Sequence, residues 1–267
     1  GGHLASNLGA VELTVALHRV FDTSVDRLVF DVGHQCYAHK LLTGRTLSTL
    51  RQYGGVAGFP KPAESPHDAF IAGHASNSVA VALGMARART MLGEDYKVIA
   101  LIGDGALTGG LAYEGLSNAG ECGRQILVIL NDNGMSITPN VGGVAEHLAK
   151  QRLKPQYLTF KKHYRRIMNA TAPGRAVYRV THQVKQALKQ SLLPCSMFEN
   201  MGFRYLGPVD GHNLPFLTKI LRYAKDIDEP VLLHIKTVKG KGFPPAEANP
   251  DAFHGVAPFD PLIGRLK

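Results

Sequence analysis

Two short apolar runs, each ending in a polar turn, constrain this chain more than any other feature. Val98-Ile99-Ala100-Leu101-Ile102 is continuously apolar, as a strand buried on both faces would be. It runs into Gly103-Asp104-Gly105-Ala106, and Leu111 to Ala119 after it is compatible with a helix. Ile126-Leu127-Val128-Ile129-Leu130 is a second such run and ends in Asn131-Asp132-Asn133-Gly134-Met135. A strand, a crossover helix and a second strand make a parallel pair, with both polar turns at one edge of the sheet. Ligands of open α/β sheets bind at that edge. The fold class expected is therefore α/β, an open, mostly parallel sheet with helices on both faces.

The turns have a definite chemistry. Gly103 and Gly105 let the backbone approach a bulky anion, and Asp104 between them offers a hard oxygen. Asn133, 29 residues further on, offers a neutral amide oxygen from the next strand end. One carboxylate, one amide and a main-chain carbonyl suit Mg²⁺, with phosphate oxygens and water completing the octahedron. An Asp and an Asn that merely cap two helices are the plainer alternative. The pairing of the two turns favours a metal–diphosphate site.

Other strand ends repeat the pattern. Leu28-Val29-Phe30-Asp31 reads as a strand ending in Val32-Gly33-His34, and Asp68-Ala69-Phe70-Ile71-Ala72 as another ending in Gly73-His74. Glycine plus a polar group at three strand ends predicts one shared crevice. Imidazole suits such a site because it gains or loses a proton near neutrality. The histidines follow different elements and form no H-E-x-x-H pattern, which argues against zinc. Val11 to Val20, Ser76 to Leu92 and Asn213 to Tyr223 read as helices, with Ser76 as an N-cap and Gly93 as a stop. Arg204-Tyr205-Leu206 reads as an edge strand and Val231 to Ile235 as the last buried one. For Lys239 and Lys241, set among glycines after that strand, contact with phosphate and simple solvation are evenly balanced.

Gly103-Asp104-Gly105 with Asn131-Asp132-Asn133 resembles the thiamine-diphosphate motif of transketolase-type enzymes. Gly1-Gly2-His3-Leu4-Ala5-Ser6-Asn7-Leu8-Gly9, Asp31-Val32-Gly33-His34-Gln35, His39 to Arg45 and Gly207-Pro208-Val209-Asp210-Gly211-His212 narrow it: they resemble the 1-deoxy-D-xylulose-5-phosphate synthase family. The resemblance covers the first, cofactor-binding domain of that family. It implies thiamine diphosphate and Mg²⁺ as cofactors, and pyruvate and glyceraldehyde 3-phosphate as substrates. Asp104, Asn133 and the Met135 carbonyl would hold the metal. His34, Gly73, His74, Ala75, Gly105, Ala106, Asn133 and Phe243 would contact the cofactor, and His3 and His254 would lie near substrate. Three positions depart from the family pattern: Ala75 replaces a serine, Gly134 a glutamate and Phe243 a tyrosine. A glycine at 134 is expected to loosen the turn that aims the metal ligands. The glutamate that activates the cofactor's aminopyrimidine lies, in the family, in a second domain. The chain is thus expected to act as a homodimer or beside a chain carrying further domains. Another transketolase-type half-subunit and a non-catalytic cofactor-binding module are the competing readings.

Composition excludes several classes. With 45% hydrophobic and 19% charged residues the chain is that of an ordinary globular protein. No apolar run reaches the ~20 residues that span a bilayer, so no membrane association is expected. Cys36, Cys122 and Cys195 are odd in number and widely separated, which fits a reducing cytoplasm. The net charge of +9 is concentrated: residues 150–190 hold eleven Lys/Arg and no Asp/Glu. A block of this kind is expected to be a solvated, mobile surface segment rather than a nucleic-acid interface, because no nucleic-acid-binding motif accompanies it. Residues 1–243 are expected to form the cofactor-binding domain. The stretch 244–267, with prolines at 244, 245, 250, 258 and 261, is expected to be a linker toward a second domain.

Overall fold

The computed structural model describes residues 2–123, 125–134 and 196–260. Five parallel strands form one sheet in the order β1-β2-β3-β5-β4. They are β1 (Arg27–Phe30), β2 (Val98–Gly103), β3 (Leu127–Asp132), β4 (Arg204–Asp210) and β5 (Val231–Lys236). β2 and β3 are neighbours in register, Ile99 opposite Leu127 and Gly103 opposite Asn131. Both polar turns therefore leave the sheet side by side, and the ends of β1 and β5 emerge at the same edge.

Helices cover both faces. On one face α4 (Ser78–Leu92) packs against α6 (Gly110–Gly120). Val98, Ala100, Ile102, Val128 and Leu130 point into that layer. On the other face lie α2 (Val11–Val20), α3 (Tyr37–Leu42) and α8 (Leu214–Lys225). Ile99, Leu101, Leu127, Ile129 and Leu233 point there. The two sets alternate along each strand, so a continuously apolar sequence is what a sheet covered twice requires. The remaining helices are short: α1 (Leu4–Leu8), α5 (Asp104–Leu107), α7 (Ser196–Asn200) and α9 (Pro244–Ala248).

Two expectations need correction. Asp68 to Ala72 is not a strand: these residues pair with none, and Asp68 is instead buried in an ion cluster with Arg45 and His39. Ser76 does not cap α4. It has a left-handed φ of 72°, and the Asp31 carboxylate accepts the N–H groups of Ser76 and Ser78 at 2.8 and 3.0 Å. Residues 244–260, expected to belong to a linker, pack against the beginning of the chain. Phe253 and Val256 are buried against Ala5 and Ala246, and Gly2 pairs antiparallel with Val256. Met135, the basic segment 150–190 and residues 261–267 lie outside the described residues.

Candidate active site

The strand ends enclose a cavity of about 290 Å³. From β2 and α5 come Gly103, Asp104, Gly105 and Ala106, and from the end of β3 comes Asn133. The turn after β1 gives Val32, His34 and Gln35, the loop before α4 gives Ala75 and Ser76, and the segment after β5 gives Lys239. His3, Ser6 and His254 close it from the two ends of the described chain.

Three histidines that are far apart in sequence meet here. Ring centroids are 5.5 Å apart for His3 and His34, 5.6 Å for His3 and His254, and 5.7 Å for His34 and His254. Asn7, which sequence reasoning passed over, holds two of them. Its amide donates to the carbonyls of His3 and His34 at 2.6 and 2.5 Å, and its Oδ1 accepts the Tyr37 N–H at 2.8 Å. Ser6 Oγ is 3.4 Å from His254 Nδ1. Burial, helped by the neighbouring cationic groups, pushes the pKa of His34 down to about 3 and that of His254 down to about 4. His3 is lowered by burial and by Arg51. All three are neutral imidazoles at pH 7. Lys239 is buried at the cavity wall; burial lowers its pKa, opposed by Asp251 and Asp104.

The side of the cavity near Ser76 and Gly109 is shaped by backbone. Val32 has φ 58° and Ser76 has φ 72°, conformations costly for non-glycine residues and found where a site over-determines them. Their restraints are visible: Val32 N–H donates to the His74 carbonyl at 3.2 Å, and Ser76 Oγ donates to the Ala106 carbonyl at 2.7 Å. A Cβ at Gly109 would lie 2.2 Å from Ser76 Oγ, so that position has to be glycine. Gly134 has φ 81°, a left-handed conformation that favours glycine, and its N–H donates to Asp104 Oδ2 at 2.8 Å and to Asp132 Oδ1 at 3.2 Å.

Most of the predicted site residues are brought together: His3, His34, Ala75, Asp104, Gly105, Ala106, Asn133 and His254 line one cavity. Gly73, His74 and Phe243 do not. His74 is exposed, and its carbonyl accepts from Val32 N–H in the turn after β1. The Phe243 ring lies in an aromatic cluster, 5.7 Å from Phe253 and 6.1 Å from Phe259.

The family model described as 1-deoxy-D-xylulose-5-phosphate synthase matches residues 1–237. The chain belongs to the 1-deoxy-D-xylulose-5-phosphate synthase family. Among its curated relatives, a 1-deoxy-D-xylulose-5-phosphate synthase of Pelotomaculum thermopropionicum is 52% identical over 266 residues, covering 99% of this chain and 42% of the relative. One from Clostridium tetani is 51% identical over 270 residues, covering 100% of this chain and 44% of that protein. The chain thus spans less than half the length of these synthases. Among solved structures, a transketolase from Leishmania mexicana matches with a TM-score of 0.65 at 21% identity, covering 95% of this chain and 36% of that one. A likeness at that identity shows the thiamine-enzyme fold alone.

Proposed function

We propose that this chain holds the Mg²⁺–diphosphate end of a thiamine-diphosphate site, in an enzyme that joins pyruvate to glyceraldehyde 3-phosphate with loss of carbon dioxide, giving 1-deoxy-D-xylulose 5-phosphate. The observation that carries this is the convergence of Asp104 and Asn133, from adjacent parallel strand ends, on a cavity that also holds three neutral histidines and a lysine. The residues fit the cofactor. Buried His3 Nδ1 and His34 Nδ1 have no hydrogen-bond partner within the described residues, as expected where a polar ligand supplies it. Asp104 and Asn133 offer hard oxygens that would hold a cation together with, by family resemblance, the Met135 carbonyl, and diphosphate and water would supply the remaining ligands.

When bound, thiamine diphosphate supplies the nucleophilic carbon and the electron sink. The chain's own residues bind and manage protons. Gly105 and Ala106, at the start of α5, present backbone N–H groups to an anion, and Lys239 adds a buried positive charge. His3 and His254 would offer imidazole nitrogens as hydrogen-bond partners to substrate, and His34 would contact the cofactor. Ala75 lacks the hydroxyl that a serine would offer to cofactor or substrate at this wall. The functional unit is proposed to be a homodimer, or this chain beside one carrying the remaining domains, in the cytoplasm and without nucleic acid or membrane. Among the described residues no helix is long and apolar enough to cross a membrane.

Isothermal calorimetry of thiamine diphosphate with and without Mg²⁺ tests the reading. Asp104→Ala and Asn133→Ala are each expected to weaken Mg²⁺-dependent binding by about tenfold or more, since each removes one of few protein ligands. Equal binding with and without Mg²⁺, or unaltered binding by Asp104→Ala, refutes it.

A further inference from the structure

Across the apolar sheet runs one buried polar line. His234 on β5 lies between Tyr205 on β4 and Asp132 at the end of β3, and all three are buried. His234 Nε2 is 2.8 Å from Asp132 Oδ2, and His234 Nδ1 is 2.7 Å from the Tyr205 hydroxyl. An ionised carboxylate only accepts, so Nε2 carries the proton and donates. Nδ1 then accepts from Tyr205 O–H, which fixes a single tautomer. The surroundings are built around this line. Tyr205 stacks on Phe198 at 6.0 Å with ring planes 4° apart. Where β4 shifts register after Leu206, a Cβ at Gly207 would lie 2.4 Å from the His234 carbonyl oxygen, so glycine lets the strands close over the histidine.

Well-packed apolar residues would serve stability there at least as well as a buried polar line. What the line does instead is visible at its far end. Asp132 Oδ1 lies 3.2 Å from the Gly134 N–H, the same N–H that donates to Asp104 Oδ2 at 2.8 Å. The turn carrying Asn133 is thus held between two carboxylates, and His234 sets the orientation of one of them. Neither Asp132, His234 nor Tyr205 lines the cavity.

We propose that Tyr205, His234 and Asp132 are positioning residues: a relay through the sheet that fixes the 132–134 turn and so aims Asn133 and Asp104 at the cation. The holding of the turn stands on this geometry, and the identity of the cation rests on the function proposed above. Side chains behind metal ligands commonly matter in this way, and their loss costs roughly 10–100-fold in metal affinity.

Two measurements on the 267-residue chain test it. The first, on the metal-free protein, is amide hydrogen exchange at Gly134 relative to the interior amides of β2 and β3. The second is the Mg²⁺ concentration that half-saturates thiamine diphosphate binding. In His234→Leu, Gly134 exchange is expected to accelerate while the strand amides hold, and the Mg²⁺ midpoint to rise about tenfold. His234→Gln places an amide N–H where Nε2 stands and is expected to recover most of both. Tyr205→Phe shifts both the same way by less, and carries the test if His234→Leu does not fold. Unchanged Gly134 exchange overturns the relay. So does acceleration spread equally over the whole sheet, and so does an unmoved Mg²⁺ midpoint in a protein that still needs Mg²⁺. If Gly134 responds as expected but the parent protein binds the cofactor without Mg²⁺, the proposed function falls and the relay stands.

Discussion

Asp68 shows how far a single side chain can organise its surroundings. Its two oxygens accept from Arg45 Nη1 at 2.6 Å, Lys61 N–H at 2.7 Å, Arg45 Nη2 at 2.8 Å and His39 Nε2 at 2.9 Å. Burial would raise its pKa, but these donors overcome that and hold the carboxyl well below the usual range. Asp68→Ala leaves the Arg45 guanidinium without its bidentate partner beside a fully buried Lys40. The expected loss is about 3–5 kcal/mol, read as a lower midpoint in urea. An unchanged midpoint would show that the cluster is not stabilising. The neighbouring thiol of Cys36 behaves as its burial dictates: desolvation pushes its pKa up to about 12. A thiol reagent at pH 8 is expected to label Cys122, which is partly exposed, and to spare Cys36 until the protein unfolds. Peptide mass spectrometry distinguishes the two.

At the scale of elements, α2 and α3 are joined by His18 and His39, whose ring nitrogens are 2.9 Å apart. Burial first, then His39 and His67, lowers the pKa of His18 to about 4. The unfolded chain therefore binds a proton near pH 6.5 that the folded chain refuses until near pH 4. Stability must fall as pH drops through that window, with the effect moderated by solvent because His18 is only partly buried. The melting temperature is expected to decline from pH 7 to pH 5, and less steeply in His18→Gln; parallel curves would show that His18 does not contribute. The sheet itself was legible in sequence. β2, β3 and β5 are apolar on both faces because helices cover both, and a strand of that kind leaves an unbroken run. Asp104 and Asn133 were legible because they sit at the ends of such runs. Asp68 to Ala72 was misread because its apolar run serves a loop: Phe70 packs onto the core without any ladder. The role of Asn7 and the absence of Phe243 from the cavity were hidden for another reason. Both depend on contacts between segments distant in sequence, which periodicity does not report.

At the scale of the whole molecule, the proposed function implies cofactor binding without turnover. Only Asp31 and Asp104 bring carboxylates to the cavity among the described residues, and Asp31 is already committed to two backbone N–H groups of the loop and α4. Neither is placed to serve as a separate acid at the far end of a bound cofactor. The chain alone is therefore expected to release no carbon dioxide from pyruvate and glyceraldehyde 3-phosphate in a coupled assay. Adding a polypeptide with the remaining length of its relatives should restore release. Turnover by the chain alone would show that it carries its own activating group, and failure with the partner would favour a non-catalytic module. The pairing of Gly2 with Val256 has a further bearing, on the order of events during synthesis. The parallel sheet can assemble once β5 has left the ribosome, but His3 meets His254 only after residue 256 has followed. Among the described residues, the cavity wall that carries His254 is thus synthesised after every strand of the sheet that supports it.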